Sequence, residues 1–204
     1  TANRGLAGGY NSNITRMIID EGFTKENTVV YAVGKKGREL LERKGYEIKA
    51  DYSEAINEPI YKDAKEICDD VLSAFADGEV GEIYLAYTVF KNTVVHEPQL
   101  IRLLPVEADD AAHETDGSEA LMTYEPSEEE ALDMIIPKYV CSLVYGALIE
   151  SVASENGARM QAMDSATSNA EEMISTLSLK YNRARQASIT QELTEIIAGA
   201  NAIE

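Results

Sequence analysis

The amino-acid sequence predicts a protein of the α/β class, in which a small domain with a mostly parallel sheet precedes one very long C-terminal helix. Two observations predict this class. Short strand-like runs alternate with helical patterns from residue 1 to about Pro105, as they do in α/β domains. From Ser127 onward the sequence keeps helical spacing, with a single proline, Pro137, and hardly a turn signal.

The elements of the first domain are predicted by apolar spacing and by residues that end helices or strands. They are a strand at 28–33, a helix at 35–44, a helix at 61–76, and strands at 82–90 and 93–104. Gly45 ends the first of these helices, and Lys91 with Asn92 predicts a hairpin between the last two strands. Pro98 places the last strand at a sheet edge, because proline has no N–H to donate to a ladder. We therefore expect a largely parallel sheet with an antiparallel edge.

A glycine-rich stretch, RGLAGGYNSN, opens the chain at Arg4 and has two interpretations. It resembles a phosphate-binding loop, because glycines precede a predicted helix. Its spacing is neither GxGxxG nor GxxxxGK[ST], which favours the alternative, a tight connection into a helix capped by Asn11 or Ser12.

The domain boundary is predicted by an acidic, small-residue segment, ADDAAHETDGS, at 108–118. Ser127 follows it as a helix cap, with three glutamates in the first turn that the backbone dipole favours. We therefore expect a globular domain at 1–107, a linker at 108–126 and a coiled-coil helix at 127–204.

The long helix carries a coiled-coil seam, a stripe of residues in alternating steps of three and four. The seam comprises Met160, Met163, Thr167, Ala170, Ile174, Leu177, Tyr181, Ala184, Ser188, Gln191 and Glu195. A helix over 139–199 would measure about 90 Å, whereas an α/β domain of this size has a radius of gyration of about 13 Å. Most of the helix should therefore project and pack against a partner, either another molecule or a segment of this protein that is missing here.

Composition excludes several functions. The 36 acidic and 18 basic residues give a net charge of −18, which disfavours contact with nucleic-acid phosphates. No apolar run approaches the ~20 residues of a membrane span, and no signal peptide is recognisable. Cys68 and Cys141 are widely separated, which favours two buried thiols of a reducing compartment over a disulfide or zinc site.

Candidate chemical groups are few, and their spacing supports no catalytic site or cofactor. The only histidines, His96 and His113, are expected to be solvated, and the acidic pairs of the linker lack the pattern of a calcium loop. Met160 and Met163 fit seam packing better than metal binding. The Asn156-Gly157 pair marks a weak point of the helix or a close approach by another segment.

Two long motifs on the last helix resemble the gamma subunit of F-type ATP synthases. They are SENGARMQAMD at 154–164 and YNRARQASITQELTE at 181–195, with the ending continuing to Gly199 and Ala200. The RGLAGGYNSNI stretch resembles the first conserved loop of the same family. The resemblance implies a Rossmann-like domain and one half of an antiparallel coiled coil, whose N-terminal helix and first strand are absent from this sequence.

This resemblance implies a rotor subunit of the central stalk. Its function would be to couple proton-driven rotation to ATP synthesis or hydrolysis in a ring of alpha and beta subunits, without catalysis on this chain. The implied partners are alpha, beta and epsilon subunits and the c-subunit ring, with one gamma per complex, peripheral to the membrane. A bacterial, cytoplasmic-side location is expected, with the mitochondrial inner membrane as alternative. The competing hypotheses are a non-rotary coiled-coil adaptor and a small nucleotide-binding enzyme.

The resemblance also implies roles for individual residues. Arg185 and Gln186 match positions that contact the catch loops of beta, and Thr190 and Glu192 lie in the same contact region. Ile196 and Ile197 match the tip that the family holds in an apolar sleeve, and Tyr124 and Glu125 match the foot segment near the c ring. The two cysteines do not form the closely spaced pair of the chloroplast subunit, so no thiol switch is expected.

Overall fold

A computed structural model describes residues 1–106 and 127–201, except the side chains of residues 128 and 129. Its elements in chain order are α1 (Tyr10–Asp20), β1 (Val29–Ala32), α2 (Lys35–Lys44), β2 (Glu47–Asp51), α3 (Tyr61–Ala76), β3 (Ile83–Phe90), β4 (His96–Leu104) and α4 (Glu128–Asn201). The chain divides into two compact units, Thr1–Gln161 and Ala162–Glu204. The first part of α4 therefore belongs to the same unit as the α/β domain. The predicted linker lies outside the described residues, so the predicted boundary there stays a prediction.

The expected fold class, a small α/β domain followed by a very long helix, is confirmed. The expected parallel and antiparallel pairings are present, but in the described residues they belong to two separate sheets and not to one: β1 and β2 pair in parallel around α2, and β3 and β4 pair antiparallel. The helices α2 and α3 have the predicted bounds. The strand β2 was not predicted, because its sequence EIKAD is polar and only Ile48 and Ala50 of it are half-buried.

The antiparallel hairpin differs from the prediction at its turn. The strand β4 begins at His96 instead of Thr93. The Asn92 side-chain oxygen accepts hydrogen bonds from the backbone N–H groups of Val94, at 2.9 Å, and Val95, at 2.8 Å. These bonds fold the intervening residues into a turn, an alternative to strand pairing that asparagine side chains commonly offer. Pro98 lies in one strand of a two-stranded sheet, so its predicted edge position is confirmed.

The glycine-rich stretch forms a tight connection into α1, as the favoured interpretation predicts. Leu6 and Gly8 both have positive φ, 64° and 56°. The predicted capping residues were wrong, because α1 begins at Tyr10 with Gly9 as N-cap and no side-chain cap. The Asn11 side chain instead accepts a hydrogen bond from the N–H of Ala2 at 2.8 Å, which ties the start of the chain to α1.

The hydrophobic core joins α3, β3, β4 and the first part of α4. Val140 is 1% exposed, and Val144 and Leu148 follow it at helical spacing into the same core. Cys68 and Cys141 lie there as buried free thiols, which confirms their predicted burial. Among the described helices, α4 alone is long and apolar enough to cross a membrane by length and composition, a test that a core helix also passes.

Tyr10 links the glycine-rich segment to α4 by a hydrogen bond. Its burial predicts how the free energy of unfolding changes at alkaline pH. It is 5% exposed, and its hydroxyl donates to the carbonyl of Ser151 at 3.0 Å. Burial raises the pKa of Tyr10 to about 12 from an ordinary value of 10.0. The folded state thus favours the neutral phenol, so its contribution to stability is full below pH 10 and is lost as pH rises towards 12.

The Tyr10→Phe variant of the full-length chain should therefore lose less unfolding free energy than wild type between pH 9 and 11, measured by urea denaturation at each pH. Tyr181→Phe, at an exposed tyrosine of α4, is the control and should follow wild type. Parallel pH profiles for Tyr10→Phe and wild type would contradict the prediction.

Candidate interaction surface on the terminal helix

The helix α4 begins as predicted, with Ser127 as its cap. The backbone N–H of Glu130 donates to the Ser127 hydroxyl at 3.2 Å, which satisfies one of the donors that every helix leaves free at its start. The helix continues for 74 residues, and Pro137 lies inside it without ending it. From Met163 to Asn201 every residue is exposed, so the side chains of this stretch are available to a partner.

The predicted seam changes character at Tyr181. Up to that residue its large apolar side chains are mostly exposed: Ile174 is 64%, Leu177 59% and Tyr181 68% exposed. Beyond it the seam continues with small and polar residues. The last two of these, Gln191 and Glu195, hydrogen-bond to each other along the helix at 3.0 Å. The seam can therefore bury a large apolar surface against a partner helix only on the N-terminal side of Tyr181.

Apolar residues reappear after Tyr181 on a different face of α4, which we call the outward stripe. With the seam at the a and d positions of the heptad, the members of the outward stripe occupy b, f, b and c, positions that face away from a coiled-coil partner. They are Ile189, Leu193, Ile196 and Ile197, exposed by 49%, 54%, 68% and 59%. The apolar surface of the helix end therefore faces away from the seam.

The four predicted contact residues fall into two groups on this surface. Arg185 and Glu192 share heptad position e, at the flank of the seam and one heptad apart. Gln186 at f and Thr190 at c lie one turn apart on the outward face, beside the outward stripe. All four side chains are exposed. The arrangement offers one polar flank and one mixed face to surrounding molecules.

Sequence reasoning selected Ile196 and Ile197 but missed Ile189 and Leu193. The signal was present, because Ile189, Leu193 and Ile197 follow each other at i, i+4 and i+8 on one face. It was missed because the seam was the only stripe considered. Tyr124 and Glu125, the predicted foot contacts, lie outside the described residues.

The structure describes only one of the two histidines, His96. The expectation of a solvated His96 was wrong: its ring packs against Gly157 of α4, and its Nε2 is buried without a hydrogen-bond partner among the described residues. His113 lies outside those residues. Among the described side chains, no group of three or more histidine, cysteine, aspartate or glutamate residues could hold a metal ion.

This architecture, an α/β domain joined to a long helix with a coiled-coil seam and exposed apolar side chains, defines a subunit of a larger assembly, because exposed apolar surface of this extent marks an interaction site. A sequence model of the family described as ATP synthase matches residues 1–203. The chain belongs to the gamma-chain family of ATP synthases, whose members are non-catalytic subunits of the complex.

Individual relatives agree with this assignment. The ATP synthase gamma chain of Lachnoclostridium phytofermentans is 68% identical over 100% of this chain and 72% of its own length. The sodium ion specific ATP synthase gamma chain of Acetobacterium woodii is 43% identical, with the same coverage of both chains. A central-stalk and c-ring structure of the Tetrahymena thermophila mitochondrial ATP synthase contains a chain similar to this one, with 25% identity, a TM-score of 0.61, and coverage of 82% of this chain and 73% of that one. The family and fold implied by the sequence motifs are thereby confirmed.

Proposed function

We propose that this chain is the rotor shaft of the central stalk and couples ion-driven rotation to ATP synthesis or hydrolysis in the surrounding ring of alpha and beta subunits. The observation that carries this function is that, among the described residues, large apolar side chains leave the seam after Tyr181 and continue only on the outward face. A helix that only bound a coiled-coil partner would keep its apolar residues on the seam. Here Ile174 and Leu177 occupy the seam, whereas the outward stripe places apolar side chains where only molecules around the coiled coil can touch them.

The two kinds of exposed residue fit two mechanical roles. Apolar contact is non-directional, so Ile196 and Ile197 can keep contact with an apolar sleeve while the helix turns. Hydrogen bonds and ion pairs require defined geometry, so Arg185, Gln186 and their neighbours Thr190 and Glu192 engage loops of beta at particular angles. Exposed ion pairs contribute only about 0–1 kcal/mol each, which allows the contacts to form and release during rotation. This chain itself has no catalytic role in the proposal.

Tyr124 and Glu125 are assigned contacts with the c-subunit ring, and the α/β domain is assigned contacts with the epsilon subunit. One such chain would serve each complex, peripheral to the membrane. The bacterial relatives support the cytoplasmic face of a cell membrane as its location. The proton is the proposed coupling ion, and the name of the Acetobacterium woodii relative makes sodium the alternative.

Co-expression tests this function directly. The full-length chain, produced together with alpha and beta subunits of the same organism, should co-purify with them as one assembly that hydrolyses ATP. Alpha and beta produced without the chain serve as the control. Recovery of the chain alone, with alpha and beta in a separate fraction, would contradict the proposal.

A further inference from the structure

In the last turns of α4 within the first unit, Ala158 packs against the cluster of Ala2, Ala7 and Tyr10. Three further points attach these turns to the α/β domain. These points lie at Ser151, Ser154 and Gly157, each three residues after the previous one, and so follow one side of the helix. Gly157 is only four residues before Gln161, where the first unit ends.

Two of the three points are hydrogen bonds between buried groups. The Tyr10 hydroxyl donates to the carbonyl of Ser151 at 3.0 Å. The Ser154 hydroxyl, on a residue that is 0% exposed, donates to the carbonyl of Thr88 at 3.1 Å. Thr88 lies opposite Pro98 in the hairpin, and its carbonyl accepts a hydrogen bond from α4. Both bonds are directional and shielded from water.

The third point is a close approach of the β3–β4 hairpin to α4. A Cβ atom added to Gly157 would overlap Nε2 of His96 and would lie 3.4 Å from the carbonyl oxygen of Thr93. The buried Nε2 has no partner among the described residues, so steric fit rather than a hydrogen bond at that atom places the ring here. The close approach that Asn156-Gly157 suggests in the sequence is thereby explained.

These contacts differ in kind from those deeper in the domain. Val140, Val144 and Leu148 hold α4 by apolar burial, which opposes separation of the helix from the domain but has little angular preference. Hydrogen bonds and the fit of a ring over a glycine oppose rotation of the helix about its axis, because a few degrees of turn change their geometry. The last turns thus add directional contacts to burial, as the edge-to-face contact of Tyr145 with Tyr61 does nearer the core.

We propose that the contacts Tyr10–Ser151, Thr88–Ser154 and His96–Gly157, together called the exit clamp, resist twisting of α4 and transmit torque between the helix and the α/β domain. The exit clamp rests on the proposed rotor function and adds a structural reason why the domain and α4 turn together. Its members are positioning residues, since none of them belongs to the proposed contacts with alpha or beta.

Gly157→Ala tests the exit clamp, with Gly146→Ala as a matched control. Both changes favour the helix by about 1 kcal/mol, but a Cβ at Gly146 meets nothing within 4 Å. Torsional stiffness is measured from the angular fluctuations of a probe on the domain in the complete ATP synthase containing the full-length chain. Gly157→Ala should lower the stiffness below that of wild type, because the added Cβ displaces the His96 ring, and Gly146→Ala should match wild type.

Ser154→Ala, with Ser142→Ala on an exposed position of the same helix as control, repeats the test without added volume in case Gly157→Ala fails to assemble. Wild-type stiffness in an assembled Gly157→Ala or Ser154→Ala enzyme would overturn the exit clamp, and a loss in both with normal controls supports it. A wild-type complex that hydrolyses ATP without rotating its probe would overturn the rotor function itself, so the two failures are distinguishable.

Discussion

Replacing Arg185 and Gln186 together by alanine is expected to lower the rate of ATP synthesis by about tenfold or more, the range of a typical coupling free energy between sites. The two side chains are exposed on α4 and lie on two adjacent sides of the helix, its polar flank and its outward face. Their removal should leave the fold intact, because alanine has the highest helix propensity. The loss should therefore appear in coupling and not in the stability of the chain.

The measurement compares ATP synthesis in vesicles that contain the complete enzyme with the full-length variant chain. Lys180→Ala combined with Asn182→Ala is the control, since it also removes one cation and one amide from exposed positions of α4. The control should stay within about twofold of wild type. An unchanged rate in the Arg185/Gln186 variant would favour the adaptor hypothesis, in which the helix only tethers its partners.

Gly34→Ala is expected to destabilise the α/β domain by about 2–6 kcal/mol, the sum of backbone strain and overpacking. Gly34 follows β1 and caps α2 with a φ of 100° and a ψ of 128°, a conformation essentially reserved for glycine. An added Cβ would also overlap the carbonyl oxygen of Thr1 and lie 2.8 Å from its hydroxyl. Neither backbone can yield easily, because the N–H of Lys36 donates to the carbonyl of Ala2 at 3.0 Å.

Urea denaturation of the full-length chain measures this loss. Gly8→Ala is the matched control, since Gly8 also has positive φ, 56°, but a Cβ there meets nothing within 4 Å. Its expected cost is the left-handed strain alone, about 1–2 kcal/mol. Equal losses in the two variants would show that steric overlap at Gly34 contributes nothing.

Local signals made much of the fold predictable. The bounds of α2 and α3 follow from apolar spacing and from Gly45, and the start of α4 follows from the Ser127 cap. Each of these signals lies within one or two helical turns of the residues it organises. The family could likewise be recognised from continuous motifs on α4, because residues that lie close together on one helix are also close together in the sequence.

Contacts between segments that are distant in sequence were harder to predict from the sequence. The polar strand β2 becomes a strand because β1 offers it a parallel edge, which propensity alone does not reveal. The outward stripe can be recognised only when heptad positions are assigned beyond Tyr181. Its residues must then be compared with those of the seam on the other face of the helix.

The sequence by itself determined the class of the protein, the extent of α2 and α3, the start of α4 and the family, because helix periodicity, caps and long motifs are local properties of the chain. Only the tertiary structure decided the surroundings of individual buried groups. His96, expected in solvent, lies over Gly157, and Ser154 bonds to Thr88 across 66 residues of sequence. Such contacts depend on how β3, β4 and α4 pack together, and that packing is set by the whole core and not by any one segment.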